Sequence, residues 1–166
     1  MKQMNKQDMY NTVIIINPCY GSYIKSVKIN ELLTTYKHIV LDWYDIKYNR
    51  KPHLHKQDQY RQLIGSHLYD IHTSKELEYL KKNNYQEELL DRYDPHLHIL
   101  LDIPPKEQLS YFKFVQKKMR IKYPFSSCVF KALPYNEEDQ IREIDYCIKE
   151  VGCIPYSHYD LQNGVI

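Results

Sequence analysis

Glycine is scarce in this chain, with four in 166 residues, and the eight prolines fall in no Gly/Ser-rich run. That excludes collagen-like repeats and flexible linker sequence. No apolar run approaches the roughly 18 residues that a membrane-spanning helix needs. The opening segment, Met1 to Asp8, has no apolar signal core, so secretion by that route is not expected and an intracellular location is. Four cysteines, Cys19, Cys128, Cys147 and Cys153, are too few and too scattered for a disulfide scaffold and point to a reducing compartment. Charge of one sign is lacking as well: 23 Lys+Arg stand against 21 Asp+Glu, a net +2. Such a balance does not announce nucleic acid, although it leaves room for a local basic face. There is no Gly-x-x-x-x-Gly-Lys-Ser/Thr loop, since Gly21-Ser22-Tyr23-Ile24-Lys25-Ser26 lacks the first glycine and the Gly-Lys pair. The single glycine after Val13–Ile16 cannot make a dinucleotide fingerprint either.

What is present is an ordinary globular composition, 43% hydrophobic and 27% charged. The length suits one domain over residues 1–166, with 152–166 as a loosely ordered tail. The unusual count is 17 tyrosines. Two causes compete: coding bias, which also raises Lys, Asn and Ile, and a stacking surface for unpaired bases.

Thr12–Ile16 is a β-branched run closed by Asn17-Pro18, a buried strand. Residues 26–36 suit a short helix, and His38–Ile46 reads as a second strand. Residues 56–90 are polar and helical in flavour, with Leu63, Leu68, Leu77, Leu80, Leu89 and Leu90 as core candidates. His96–Ile103 is a strand stopped by Pro104-Pro105. An amphipathic helix follows over 105–120, burying Leu109, Phe112, Val115 and Met119. Ser127–Leu133 is a further strand. A last helix spans 136–151, capped by Asn136, favoured by Glu137, Glu138 and Asp139 at its positive end, and stopped by Gly152. Connections this varied favour an α+β architecture, a central antiparallel sheet flanked by helices.

Two places carry chemistry. In a strand, His96 and His98 face one side while Leu97, Ile99 and Leu101 face the other. Two imidazoles on one rigid face make half of a metal site, with Asp94 a third ligand if it turns inward. The bland alternative is a pair of solvated histidines. His53-Leu54-His55 serves as a control: no apolar strand supports it, and it reads as loop. In the last helix, Ile141, Ile144, Ile148 and Val151 define a buried stripe. Tyr146 lies about 200° round from Ile144 and points away from that stripe, sharing a face with Arg142, Lys149 and Glu150. A tyrosine between cations suits nucleophilic attack on a phosphate; the bland alternative is a surface tyrosine.

The order of these parts resembles the HUH endonucleases, specifically the replication-initiator (Rep) branch of rolling-circle plasmids, phages and small single-stranded DNA viruses. The matching segments are Asp94-Pro95-His96-Leu97-His98-Ile99-Leu100-Leu101 and Asp145-Tyr146-Cys147-Ile148-Lys149-Glu150, within residues 94–152. The resemblance implies an HUH/Rep-like variant of the ferredoxin-like fold. It implies Mn2+ or Mg2+ on His96 and His98, with Asp94, Asp42 or Glu88 as third ligand and His67 or His72 as remoter choices. Tyr146 would attack the scissile phosphate of single-stranded DNA or an origin hairpin, leaving a 5′-phosphotyrosyl link and a free 3′-hydroxyl. Lys149 would steady the phosphate, and Arg142 and Tyr44 would contact substrate, with the strand 38–46 presenting Asp42 and Tyr44. Without a phosphate-binding loop, the expectation is either a stand-alone nuclease that uses a host helicase or a nuclease domain of a longer chain. One well-placed tyrosine favours a one-tyrosine mechanism, since Tyr156 and Tyr159 lie beyond Gly152 and Pro155. The expected setting is a monomer or homodimer in the host cytoplasm, or nucleus if the host is eukaryotic.

The nearest rival is a small HUH transposase of an insertion sequence. A mobilisation relaxase would carry three clustered histidines. A rival of another class is a non-catalytic metal- or nucleic-acid-binding domain, in which Cys147, Cys153 and His158 join the His pair around zinc, although their spacing fits no common zinc motif.

Overall fold

The computed structural model describes residues 4–18, 27, 29–48, 60–67, 96–148 and 155–157. In chain order these give β1 (Thr12–Asn17), α1 (Ile29–Tyr48), β2 (Arg61–His67), β3 (His96–Asp102), α2 (Gln108–Lys122), β4 (Ser127–Ala132), α3 (Glu137–Ile148) and β5 (Pro155–Ser157). The strands form one sheet in the order β4-β1-β3-β2-β5, antiparallel at every pairing. The fold is α+β, an antiparallel sheet flanked by helices. From β1 to β4 the succession β-α-β-β-α-β in the order 4-1-3-2 is the ferredoxin-like arrangement. To it are added α3 and the short strand β5.

Alternation along the strands sorts the core into two layers. On one face Ile14, Ile16, Ile64, Leu97, Ile99 and Leu101 pack with Leu32, Leu33, Tyr36, Val40 and Trp43 of α1 and Tyr111, Val115 and Met119 of α2. Each such full burial contributes about 1.5–3 kcal/mol. On the other face Val13 and Leu100 meet Leu133 and Cys147, with Ile144 and Leu63 alongside. The central strand β3 is covered on both sides, which is why His96 and His98 are buried together with their apolar neighbours.

Two expected elements change type. His38–Ile46 is the second half of α1, not a strand. Its buried residues, Ile39, Val40, Trp43 and Tyr44, continue Leu32, Leu33 and Tyr36 at steps of three and four, a helical repeat that β-branched and aromatic composition disguises. Within the stretch read as helical, residues 61–67 form β2, whose inward Gln62 is held by a tyrosine rather than by apolar contact. Leu63 is half-buried; Leu68, Leu77, Leu80, Leu89 and Leu90 lie outside the described residues. In α2 the buried set is Tyr111, Val115 and Met119, and Leu109 is exposed.

The buried tyrosines are core material with their hydroxyls engaged. Tyr36 donates to Gln62 Oε1 at 2.5 Å, and the Tyr111 hydroxyl lies 2.6 Å from that of Tyr36. Trp43 Nε1 donates to the Tyr60 hydroxyl at 2.9 Å, and Tyr60 in turn donates to Glu107. Burial pushes the Tyr36 and Tyr111 phenols well above their ordinary range, so both stay neutral donors.

Candidate functional site

The site begins with β3. Its pleat places the His96 and His98 rings side by side on the face that α3 covers, centroids 5.3 Å apart, at 5% and 7% exposure. Across the ladder, His98 pairs with Ile15 of β1 and Gly65 of β2, and His96 stands opposite His67.

The next component is α3, whose start is fixed by local chemistry. Asn136 Oδ1 accepts from the Asp139 backbone N–H at 2.8 Å, and Asn136 Nδ2 donates to Asp139 Oδ2 at 2.5 Å. This is the cap that the sequence indicates. Its rotation is fixed by a longer-range device. Gln140 is fully buried and accepts from Tyr10 N at 2.8 Å. It donates to Tyr10 O at 2.7 Å and Pro134 O at 2.9 Å. Two turns on, Cys147 is also fully buried, its Sγ 3.5 Å from His98 O. Gln140, Ile144 and Cys147 therefore face the sheet, and the expected stripe through Ile141 and Ile148 does not hold, since Ile148 is exposed. Val151 lies outside the described residues.

That rotation brings Tyr146 down beside the sheet with part of it still in solvent. Its ring meets His98 edge-on, centroids 4.7 Å apart with the planes at 63°, while the side chain remains 37% exposed. One phenol-bearing side chain thus contacts a buried imidazole and is still open to solvent. A cavity of about 320 Å3 opens beside them, lined by Val13, Ile15, His98, Val129, Lys131, Arg142, Glu143 and Tyr146. Lys131 Nζ lies 3.0 Å from Glu143 Oε1, and Arg142 Nη2 lies 2.6 Å from Asp139 Oδ1. The lining thus joins apolar Val13, Ile15 and Val129 to two cations, Lys131 and Arg142, each paired with a carboxylate.

Of the residues selected from sequence, the structure brings together His96, His98, Tyr146 and Arg142. Asp94, Glu88, His72, Lys149, Glu150, Cys153 and His158 lie outside the described residues. Tyr44 does not belong to this cluster. It is 1% exposed, packed in the α1 layer across the sheet, and its hydroxyl accepts from the Tyr60 backbone N–H. Asp42 is exposed on the same helix, α1, because the segment is helical rather than extended. Sequence reasoning missed Lys131, Glu143 and Val129. Val129 and Lys131 are two apart on β4, hence on one face, and Glu143 is three before Tyr146; those spacings were the available signal.

Among the described residues, no group of three or more His, Cys, Asp or Glu side chains converges as a metal site. His96 and His98 offer two imidazoles on one face, which suits part of a divalent-ion site. No protein family, curated protein or solved structure matches this chain.

Proposed function

We propose that the chain nicks and rejoins single-stranded DNA through Tyr146, as the initiator of rolling-circle replication of a plasmid, phage or virus. The observation that carries the reading is the meeting of Tyr146 with His98, two residues far apart in sequence, beside an open cavity that Lys131 and Arg142 line. The resemblance of the two motifs to the HUH endonucleases supplies the reaction class.

In that reading the Tyr146 phenol oxygen forms a bond to phosphorus while the P–O3′ bond breaks. The product is a 5′-phosphotyrosyl link and a 3′-hydroxyl, the proton lost by the phenol balancing the one the leaving oxygen gains. Because a phosphodiester is exchanged for another of similar energy, the same site runs in reverse and joins strands. Arg142, on the same cavity, offsets the charge of the phosphate as its geometry changes. His96 and His98 would hold part of the coordination sphere of Mn2+ or Mg2+, which supplies Lewis-acid polarisation of the phosphate when bound. Tyr146→Phe keeps the ring against His98 and removes the nucleophile.

The test is a denaturing gel of end-labelled single-stranded oligonucleotides and origin-like hairpins incubated with protein and manganese. A labelled band at protein mass is expected, lost with EDTA and with Tyr146→Phe. An adduct that persists in Tyr146→Phe overturns the assignment.

A further inference from the structure

We infer that the cavity between β4 and α3 is a binding position for one nucleotide of single-stranded DNA, its phosphate taken by Lys131 in exchange for Glu143. This rests on the reading of Tyr146 as a nucleophile toward DNA. Three observations carry it. The floor, Val13, Ile15 and Val129, is apolar, and Val129 is left 51% exposed on a strand face where a covered valine would be expected. A base or sugar edge resting there removes that apolar surface from water. Lys131, beside that apolar surface on β4, and Arg142, on α3, line the same cavity, which brings cations next to apolar surface as the anionic backbone and apolar base faces of a nucleotide require. Lys131 is held at 3.0 Å by Glu143 alone among the ion pairs described for it, with its side chain 54% exposed. The carboxylate end of the pair is largely covered, at 16%, and the ammonium end is open, so a phosphate reaches Lys131 from the solvent side and competes there with Glu143. Glu143 therefore keeps Lys131 folded over the cavity until substrate arrives and sets how tightly the flanking nucleotide is held.

The pairing gives variants of opposite sign. Lys131→Ala removes the phosphate contact; Glu143→Gln releases Lys131 from its competitor. The full chain, titrated with fluorescein-labelled oligodeoxythymidylate at several salt concentrations, is expected to bind several-fold more weakly as Lys131→Ala. The salt slope should fall by about 0.7, the share of one phosphate contact on a single strand. Glu143→Gln is expected to bind more tightly than the parent with the slope retained. A merely structural role for the ion pair would weaken both variants through stability, and thermal melts run alongside distinguish that outcome. Equal binding by Lys131→Ala with an unchanged slope, weaker binding by Glu143→Gln, or no binding by the parent chain overturns the inference. The covalent assay run on the same proteins keeps the two ideas apart. The opposed binding pattern without any adduct retains the nucleotide position and removes the nicking chemistry. An adduct formed equally by all three proteins, with equal binding, retains the chemistry and removes the nucleotide position.

Discussion

Gln140→Leu tests whether a buried hydrogen-bond clamp sets the active geometry. The side chain is fully buried and makes three hydrogen bonds, one accepted from Tyr10 N and two donated to Tyr10 O and Pro134 O. Leucine preserves most of the volume and removes all three. A hydrogen bond contributes about 0.5–1.5 kcal/mol net, and a buried group left unmet costs about 1–3 kcal/mol. Tyr10 is only half-buried and Pro134 is exposed, so water recovers part of the loss. The expected destabilisation is about 2–4 kcal/mol, read as a lower urea midpoint with an unchanged slope. In a domain this size that corresponds to a melting point lower by roughly 5–15 °C. Stability is only half of the prediction. Gln140 and Cys147 together hold the rotation that places Tyr146 on His98, and a shift of about 1 Å at a reacting group can cost on the order of 100-fold in rate. Adduct formation per folded molecule should therefore fall more than tenfold at a temperature where the variant is fully folded. A midpoint change below about 0.5 kcal/mol, or an adduct rate per folded molecule equal to the parent, would refute the reasoning.

His98→Ala, and separately His96→Ala, should abolish manganese-dependent adduct formation by orders of magnitude while single-stranded DNA binding persists, checked by the gel assay beside a binding titration. Tyr44→Ala should cost about 3–5 kcal/mol of stability, as expected for a large core side chain, and leave adduct formation per folded molecule unchanged; a specific loss of DNA binding would restore Tyr44 to the substrate surface. Burial raises the Tyr36 and Tyr111 phenols in the folded chain, while in the unfolded chain they ionise near pH 10. The unfolded state therefore holds fewer protons above pH 10, so their stabilising contribution is complete below pH 10 and is lost as pH rises beyond it. Absorbance at the phenolate band should show these tyrosines titrating only together with alkaline unfolding.

Much of this organisation is visible in the residues. The β-branched run of β1, the His-x-His alternation of β3 and the Asn136 cap of α3 each follow from local chemistry, and each forms as read. The second half of α1 was hidden because Ile39, Val40, Trp43 and Tyr44 look like strand residues singly, and only their spacing with Leu32, Leu33 and Tyr36 reveals the helix. β2 was hidden because its inward Gln62 is satisfied by Tyr36, a partner 26 residues earlier that no local window contains. The rotation of α3 was misread for the same reason. A glutamine does not advertise itself as core, and its three partners lie on Tyr10 and Pro134. The two halves of the candidate site were legible as motifs, yet their approach depends on that rotation, and so do the roles of Lys131 and Glu143.

The most direct measurement is to locate the covalent bond. Protein incubated with single-stranded DNA and manganese is digested with nuclease and then trypsin, and the peptides are sequenced by mass spectrometry. The expected result is a nucleotide phosphate on the peptide running from Glu143 to Lys149, with fragmentation placing it on Tyr146. A phosphotyrosyl bond on any other tyrosine, or cleavage of the DNA with no covalent peptide at all, would contradict the mechanism.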